Sequence, residues 1–188
     1  MKQYLIKVVS GHIHIVQWLI EYANMKESPI NIHIQNEAIF NQSCVNGHIH
    51  IVQWLIEYAK MIGSPINIHA NNDKAFRWSC EHEQLKMMQW LVEYGNSIGS
   101  PIDIHANNEE AFISGCYNGQ LKITQWLIEY GNSIGSSIDI HVDKESAFKC
   151  SCRRRYFIIV KWLIENFDGF DTTQFNDNEL EIYNKYKK

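Results

Sequence analysis

Nine histidines and five cysteines are the residues of this chain with the most obvious chemical reach. His33, His69, His105 and His141 recur at an interval of 36 residues. Imidazole is the commonest metal ligand, so a metal ladder is the first reading. Zinc–nitrogen bonds are about 2 Å long, whereas stacked helices stand about 10 Å apart. Rungs at that separation cannot share an ion. The reading that survives is an imidazole that hydrogen-bonds loop backbone and ties one loop to the next. His12-x-His14 and His48-x-His50 lack the i, i+4 spacing of helical zinc pairs and read as turn and solvated histidines. Cys44, Cys80, Cys116 and Cys152 share the 36-residue interval. A disulfide needs Cα atoms within about 7 Å, and a zinc site wants two ligands a few residues apart. These thiols therefore read as small buried residues of a tightly packed helix; Cys150 is out of register. No nucleophile–base pair, phosphate loop or carboxylate pair can be placed. No catalytic, metal-binding or cofactor-binding residue is assigned, and the chain is not expected to be an enzyme.

The interval that spaces these residues organises the whole chain. Gly47–Tyr58 occurs almost verbatim at Gly11–Tyr22 and recurs, worn, at Glu83–Tyr94, Gly119–Tyr130 and Arg155–Asn166. Five of the six tryptophans mark it: Trp18, Trp54, Trp90, Trp126 and Trp162. A fixed period of this size signals a repeat architecture, in which each unit leans on its neighbours.

One unit can be read from Pro101 onward. Pro101–His105 alternates apolar and polar residues, the period of an extended strand, and Gly99-Ser-Pro101 before it is turn chemistry. Ala106-Asn107-Asn108 reads as a second turn. A short helix follows over Glu109–Tyr117, with acidic residues in the first turn, where the helix dipole favours them. Asn118-Gly119 breaks it. A second helix spans Leu121–Tyr130, with Ile123, Trp126, Leu127 and Tyr130 at i, i+3, i+4 and i+7, and Gly131 ends it. The tryptophans could form an aromatic track that stacks bases or prolines, but their place in that apolar stripe assigns them to the core. On that reading Trp90→Ala costs about 3–5 kcal/mol. Helices this short do not stand alone, so stacking must supply their partners.

The first copy begins with a helix over residues 1–10, in which Tyr4 takes the place of Phe40, Phe76, Phe112 and Phe148, and Val8 that of the cysteine. The last copy decays after Glu165. Asn176–Glu179 has the form of a capping box opening a final polar helix over Glu179–Lys187, with Leu180 and Tyr183 facing in. This gives a repeat region over residues 1–167 and a C-terminal capping segment over 168–188.

Glu110–Gly119 followed by Leu121–Gly131 resembles the ankyrin repeat. Asn46-Gly47-His48 matches that family's inter-helix turn. Cys44 and its equivalents stand at its second small alanine, and Ser43, Ser79, Gly115 and Ser151 at its first. The Thr-Pro-Leu-His opening is replaced by Glu110-Ala-Phe-Ile, and the unit is 36 residues rather than about 33. The wording Gln-Trp-Leu-Ile-Glu-Tyr together with Ile-Asn-Ile-His resembles the ankyrin proteins of giant amoeba-infecting DNA viruses (mimivirus-like). The resemblance implies an all-α, ankyrin-type helical repeat solenoid with β-hairpin fingers and a concave binding face. It also implies a protein partner, host or viral.

Positions that differ among the copies are the candidates for contacting that partner. Register aligns Asn41, Arg77, Ile113 and Lys149; Gln42, Trp78, Ser114 and Cys150; Val45, Glu81, Tyr117 and Arg153; and Ala38, Lys74, Glu110 and Ser146. Trp78 is the tryptophan out of register, and Trp, Tyr and Arg dominate interface energetics. Arg77, Trp78, Lys74, Glu81, Ile113, Tyr117 and Asn41 are the expected partner-binding residues. Arg153-Arg154-Arg155 with Lys149 reads as a solvated end cap or a dock for an acidic segment. A net charge of −4 opposes nucleic-acid binding, whose footprint is a basic stripe, although a helical-repeat nucleic-acid binder is the third reading. The second is a ubiquitin-ligase adaptor, which the short polar tail does not favour. With no membrane-length apolar run and no signal peptide, a cytoplasmic monomer is expected.

Overall fold

The computed structural model describes residues 12–28 and 30–187. The helix expected over residues 1–10 lies outside them. Two compact units form, Met1–Asp103 and Ile104–Lys188. The first contains α1 (Ile13–Met25), α2 (Ile34–Val45), α3 (Ile49–Met61), α4 (Ala70–Glu81) and α5 (Leu85–Ser97). The second contains α6 (Ala106–Tyr117), α7 (Leu121–Ser133), α8 (Val142–Arg154), α9 (Phe157–Asn166), a 3-10 turn at Thr172–Gln174 and α10 (Asp177–Tyr186). Within the units α2 packs on α4 and α6 on α8, each first helix packs on the second helix of its own copy, and α10 packs on α8 and α9. The all-helical repeat expected from the sequence is what the chain forms.

Each first helix opens with a left-handed turn. Gln35-Asn36-Glu37, Asn71-Asn72-Asp73, Asn107-Asn108-Glu109 and Asp143-Lys144-Glu145 all have φ between 49° and 65°. Non-glycine residues pay about 1–2 kcal/mol each in this region, asparagine and aspartate least. The turn read at Ala106–Asn108 is therefore real, and Glu109 belongs to it rather than to the right-handed helix. The loop before it is not a strand. Ile102 and Ile104 are both buried, as their alternation predicted, but no strand forms among the described residues. The β-hairpin fingers are absent among the described residues; instead one N–H of each loop, at Asn67, Asp103 and Asp139, is taken by a carboxylate of the preceding copy.

The second helices run further than expected. α7 passes through Gly131 to Ser133 and closes with Gly135 at φ 71°, while Ser136 N–H donates to Gly131 O at 2.9 Å. A Cβ at Gly131 would lie 2.7 Å from that Ser136 carbonyl, so position 131 is small for packing, not for termination.

Phe40 and Phe76 in the first unit and Phe112 and Phe148 in the second are all at 0 % exposure, and Val16, Leu55 and Leu91 in the first and Leu127 and Leu163 in the second are buried with them. The cysteines are buried free thiols, as expected. The tryptophans are not core. Trp18 is 56 % exposed and Trp54, Trp90, Trp126 and Trp162 are half-buried. The inward face of α7 is Ile123, Thr124, Leu127, Ile128 and Gly131. At about 100° per residue, Trp126 lies roughly 130° round the helix from the centre of that set. Because the helix is apolar over much of its circumference, the i, i+3, i+4, i+7 stripe read from the sequence straddled two faces.

At the C-terminal end Phe170 and Tyr183 are buried. Phe175 stacks on Phe148 at 4.5 Å between ring centres. α10 is opened by a capping box between Asn176 and Glu179. Glu179, 1 % exposed, and Tyr183 face in, whereas Leu180 is 37 % exposed, contrary to the expectation.

Candidate protein interface

The histidine ladder builds the frame on which any interface sits. Nδ1 of His33, His69, His105 and His141 meets the carboxylate four residues on, at Glu37, Asp73, Glu109 and Glu145, over 2.6–3.0 Å. All four carboxylates are buried. Each also accepts a backbone N–H from the next loop: Glu37 from Asn67 at 3.2 Å, Asp73 from Asp103 at 3.2 Å, Glu109 from Asp139 at 3.1 Å and Glu145 from Asp171 at 2.9 Å. The loop is bent to present that N–H by an asparagine or aspartate that accepts from the backbone two residues on, as Asn67 does from His69 and Asp139 from His141. His69 Nε2 and His105 Nε2 reach the next loop through Ser100 and Ser136 hydroxyls at 2.8 Å. The histidines do tie loop to loop, but through a buried carboxylate that the sequence reading took for a helix-dipole residue.

Two of the expected partner-binding residues belong to this frame. Arg77 is 6 % exposed and donates to the carbonyls of Asn72 at 2.7 Å and Asn71 at 2.8 Å. Asn41, 5 % exposed, donates to Asn36 O at 3.0 Å. Both satisfy the carbonyls of the left-handed turn, whose reversed backbone leaves them without helical partners. They face inward and cannot be the surface assigned to them.

The remaining residues lie outward. In the first unit Lys74 Nζ stands 3.7 Å from the centre of the Trp78 ring, and both side chains are half-buried. One turn on, His82 Nδ1 donates to Trp78 O at 2.9 Å. Lys74, Trp78 and His82 thus form one stripe at i, i+4, i+8, with Glu81 exposed beside it. The stripe runs into a hollow of about 470 Å³ lined by Val45, Asn46, His48, His82 and Gln84. His48 is held below the usual histidine range, first by burial and then by the nearby His12. The sequence reading missed His82 and Gln84. They stand at the inter-helix turn, where the preceding copy has Asn46-Gly47-His48, and that departure was the available signal.

In the second unit Ile113 is half-buried. Tyr117 is 46 % exposed beneath the Arg154 guanidinium, 4.2 Å from its ring centre. Of the three arginines, two share a hollow and one turns away. Arg154 covers Tyr117, whereas Arg153, which bonds Lys149 O and lies 3.9 Å from Glu179, and Arg155 both line a second hollow of about 490 Å³ with Phe157, Lys185 and Tyr186. Among the described residues no three metal-ligating side chains come together, and no helix is long and apolar enough to cross a membrane.

The family model for ankyrin repeats (3 copies) matches residues 4–102, more than half of the chain. The protein belongs to the ankyrin repeat family. No curated protein matches it. Ankyrin repeats are in general protein–protein interaction modules and typically non-enzymatic. This chain keeps the ankyrin alternation of short first helix, tight turn and second helix. It joins successive copies through the His–carboxylate–backbone clasp just described.

Proposed function

We propose that this ankyrin protein is a non-enzymatic interaction module that binds a protein partner on the outward side of its first helices. The observation that carries the reading is the Lys74–Trp78–His82 stripe beside its hollow. A half-buried indole lying under a lysine is an arrangement that the frame does not need, and tryptophan is among the residues most enriched at interface hot spots. The frame is ordered beforehand by the clasps, so docking on it loses little conformational entropy. Tyr117 under Arg154 is the corresponding element of the second unit. A net charge of −4 suits a protein rather than a nucleic acid. The viral wording of the repeats favours a host or viral protein met in the cytoplasm as the partner, bound by a monomer.

Affinity capture with wild-type chain and with Trp78→Ala/Lys74→Ala, each read by mass spectrometry, tests this. A saturable partner recovered by the wild type and lost by the variant is expected. Equal recovery by a folded variant would remove the stripe from the interface.

A further inference from the structure

The surface above does not account for the tryptophan-bearing side of the second helices, where Trp54 and Tyr58 pack only partly on the core. In the Met1–Asp103 unit it carries three stacked ring pairs: Trp18 on Tyr22, Trp54 on Tyr58 and Trp90 on Tyr94. Their centroids are 5.2–5.3 Å apart and their planes within 19° of parallel. Side chains bridge one pair to the next. Asn24 Nδ2 donates to the Tyr58 hydroxyl at 3.2 Å, and Lys60 Nζ lies 5.5 Å from the Tyr94 ring centre. These links tie each second helix to the ring pair of the next copy, and the three pairs together are the aromatic ribbon of this unit. Glu21, Glu57 and Glu93 are exposed along it, each three residues after a tryptophan and therefore on the same side of the helix.

The ribbon offers one flat aromatic rung and one carboxylate per copy, with rungs about 10 Å apart, the spacing of stacked helices. A polyproline II helix advances about 9 Å per turn of three residues, so a proline at every third position meets successive rungs in step. A basic residue once per turn meets the glutamate row. We propose that this ribbon is a docking track for a proline-rich, basic segment in the polyproline II conformation. The last copy shows how an extended chain can cover such a rung. There Asn166 replaces the tyrosine, and Phe167, with extended backbone at φ −135° and ψ 147°, packs edge-on against Trp162 at 5.5 Å. The glutamate row works against the two other occupants of an aromatic ribbon. It is repelled by an anionic lipid surface, and a second copy would bring like-charged rows together. Lys26 and Lys60 already stand over the Tyr22 and Tyr94 rings, at 5.8 and 5.5 Å from their centres, which leaves the glutamates rather than the rings to meet the partner's cations.

The test is fluorescence anisotropy of a labelled peptide of Pro-Pro-Arg triplets titrated with the full chain at about 150 mM salt, with Gly-Ser-Arg triplets of equal length and charge as control. Saturable binding of the proline peptide at least about tenfold tighter than the control is expected. A comparable loss should follow Glu57→Lys, with a smaller loss for Trp18→Ala, whose ring is the most exposed. Trp78→Ala should leave this binding unchanged, which separates the track from the first-helix surface. Equal affinity for the two peptides would reduce the interaction to charge and overturn the proposal. So would the absence of saturable binding by a chain with native circular dichroism. Uptake by phosphatidylserine vesicles or self-association in sedimentation, with no preference for the proline peptide, would assign the ribbon to another occupant and equally overturn it.

Discussion

Glu109 is buried, yet it accepts from His105 Nδ1 at 2.7 Å and from Asp139 N at 3.1 Å. Hydrogen bonds to a charged group contribute about 1.5–3 kcal/mol, and a buried donor left unmade costs a similar amount. Glu109→Ala is therefore expected to lower stability by about 2–3 kcal/mol in urea unfolding, and Glu109→Gln by less, since the amide oxygen can still accept. Glu83 gives a prediction of the opposite sign. It occupies the inter-helix turn at φ 61°, where Gly47 and Gly119 stand in other copies. Relief of left-handed strain exceeds the entropy glycine loses on folding, so Glu83→Gly should raise stability by about 0.5–1 kcal/mol. At this scale the sequence was legible in its spacing but not in its roles. An acid follows each ladder histidine by four residues in every copy, a signal as regular as the histidines. It was read as a dipole effect because one carboxylate in a first turn has an ordinary explanation. Arg77 and Asn41 misled for the converse reason: they vary between copies, yet the variation tunes how each left-handed turn is satisfied.

Helix positions were legible because glycine, asparagine and proline punctuate them, whereas helix faces were not. The second helices carry apolar residues on both their inward and outward sides, so periodicity alone could not choose between tryptophan and its neighbours. The structure reorders the expected costs accordingly. Phe76→Ala removes a ring at 0 % exposure and should cost about 3–5 kcal/mol. Trp90→Ala removes a half-buried ring and should cost only about 1–2 kcal/mol, a difference readable in the midpoints of chemical unfolding. The first helices also carry a pH response. Burial holds Cys44 above the usual thiol range, raises Cys150 to about 11 and, helped by Glu179, raises Cys152 to about 12. The folded chain thus keeps protons that the unfolded chain releases from about pH 8.5 upward, and stability must fall as pH rises through that window. Unfolding midpoints at pH 8 and pH 10 should show the fall. The native thiols should react with a disulfide reagent far more slowly than those of the urea-unfolded chain.

In a repeat protein, stability is close to a sum of unit and nearest-neighbour terms, and here the neighbour term has a named chemistry. The histidine, the buried acid and the next loop's N–H recur with the period that carries the tryptophans. The clasp is made from residues that recur in every copy, so residues that differ between copies can do so without loss of it. Frame and recognition surface should then separate experimentally. Asp73→Ala acts on the frame beneath α4, and Trp78→Ala/Lys74→Ala acts on its outward stripe. The most direct measurement is partner capture by the Trp78→Ala/Lys74→Ala chain alongside its urea midpoint. The account predicts a folded chain whose unfolding free energy falls by no more than about 1–2 kcal/mol, the cost of a half-buried ring, and loss of the partner. A folded variant that retains the partner in full would contradict it.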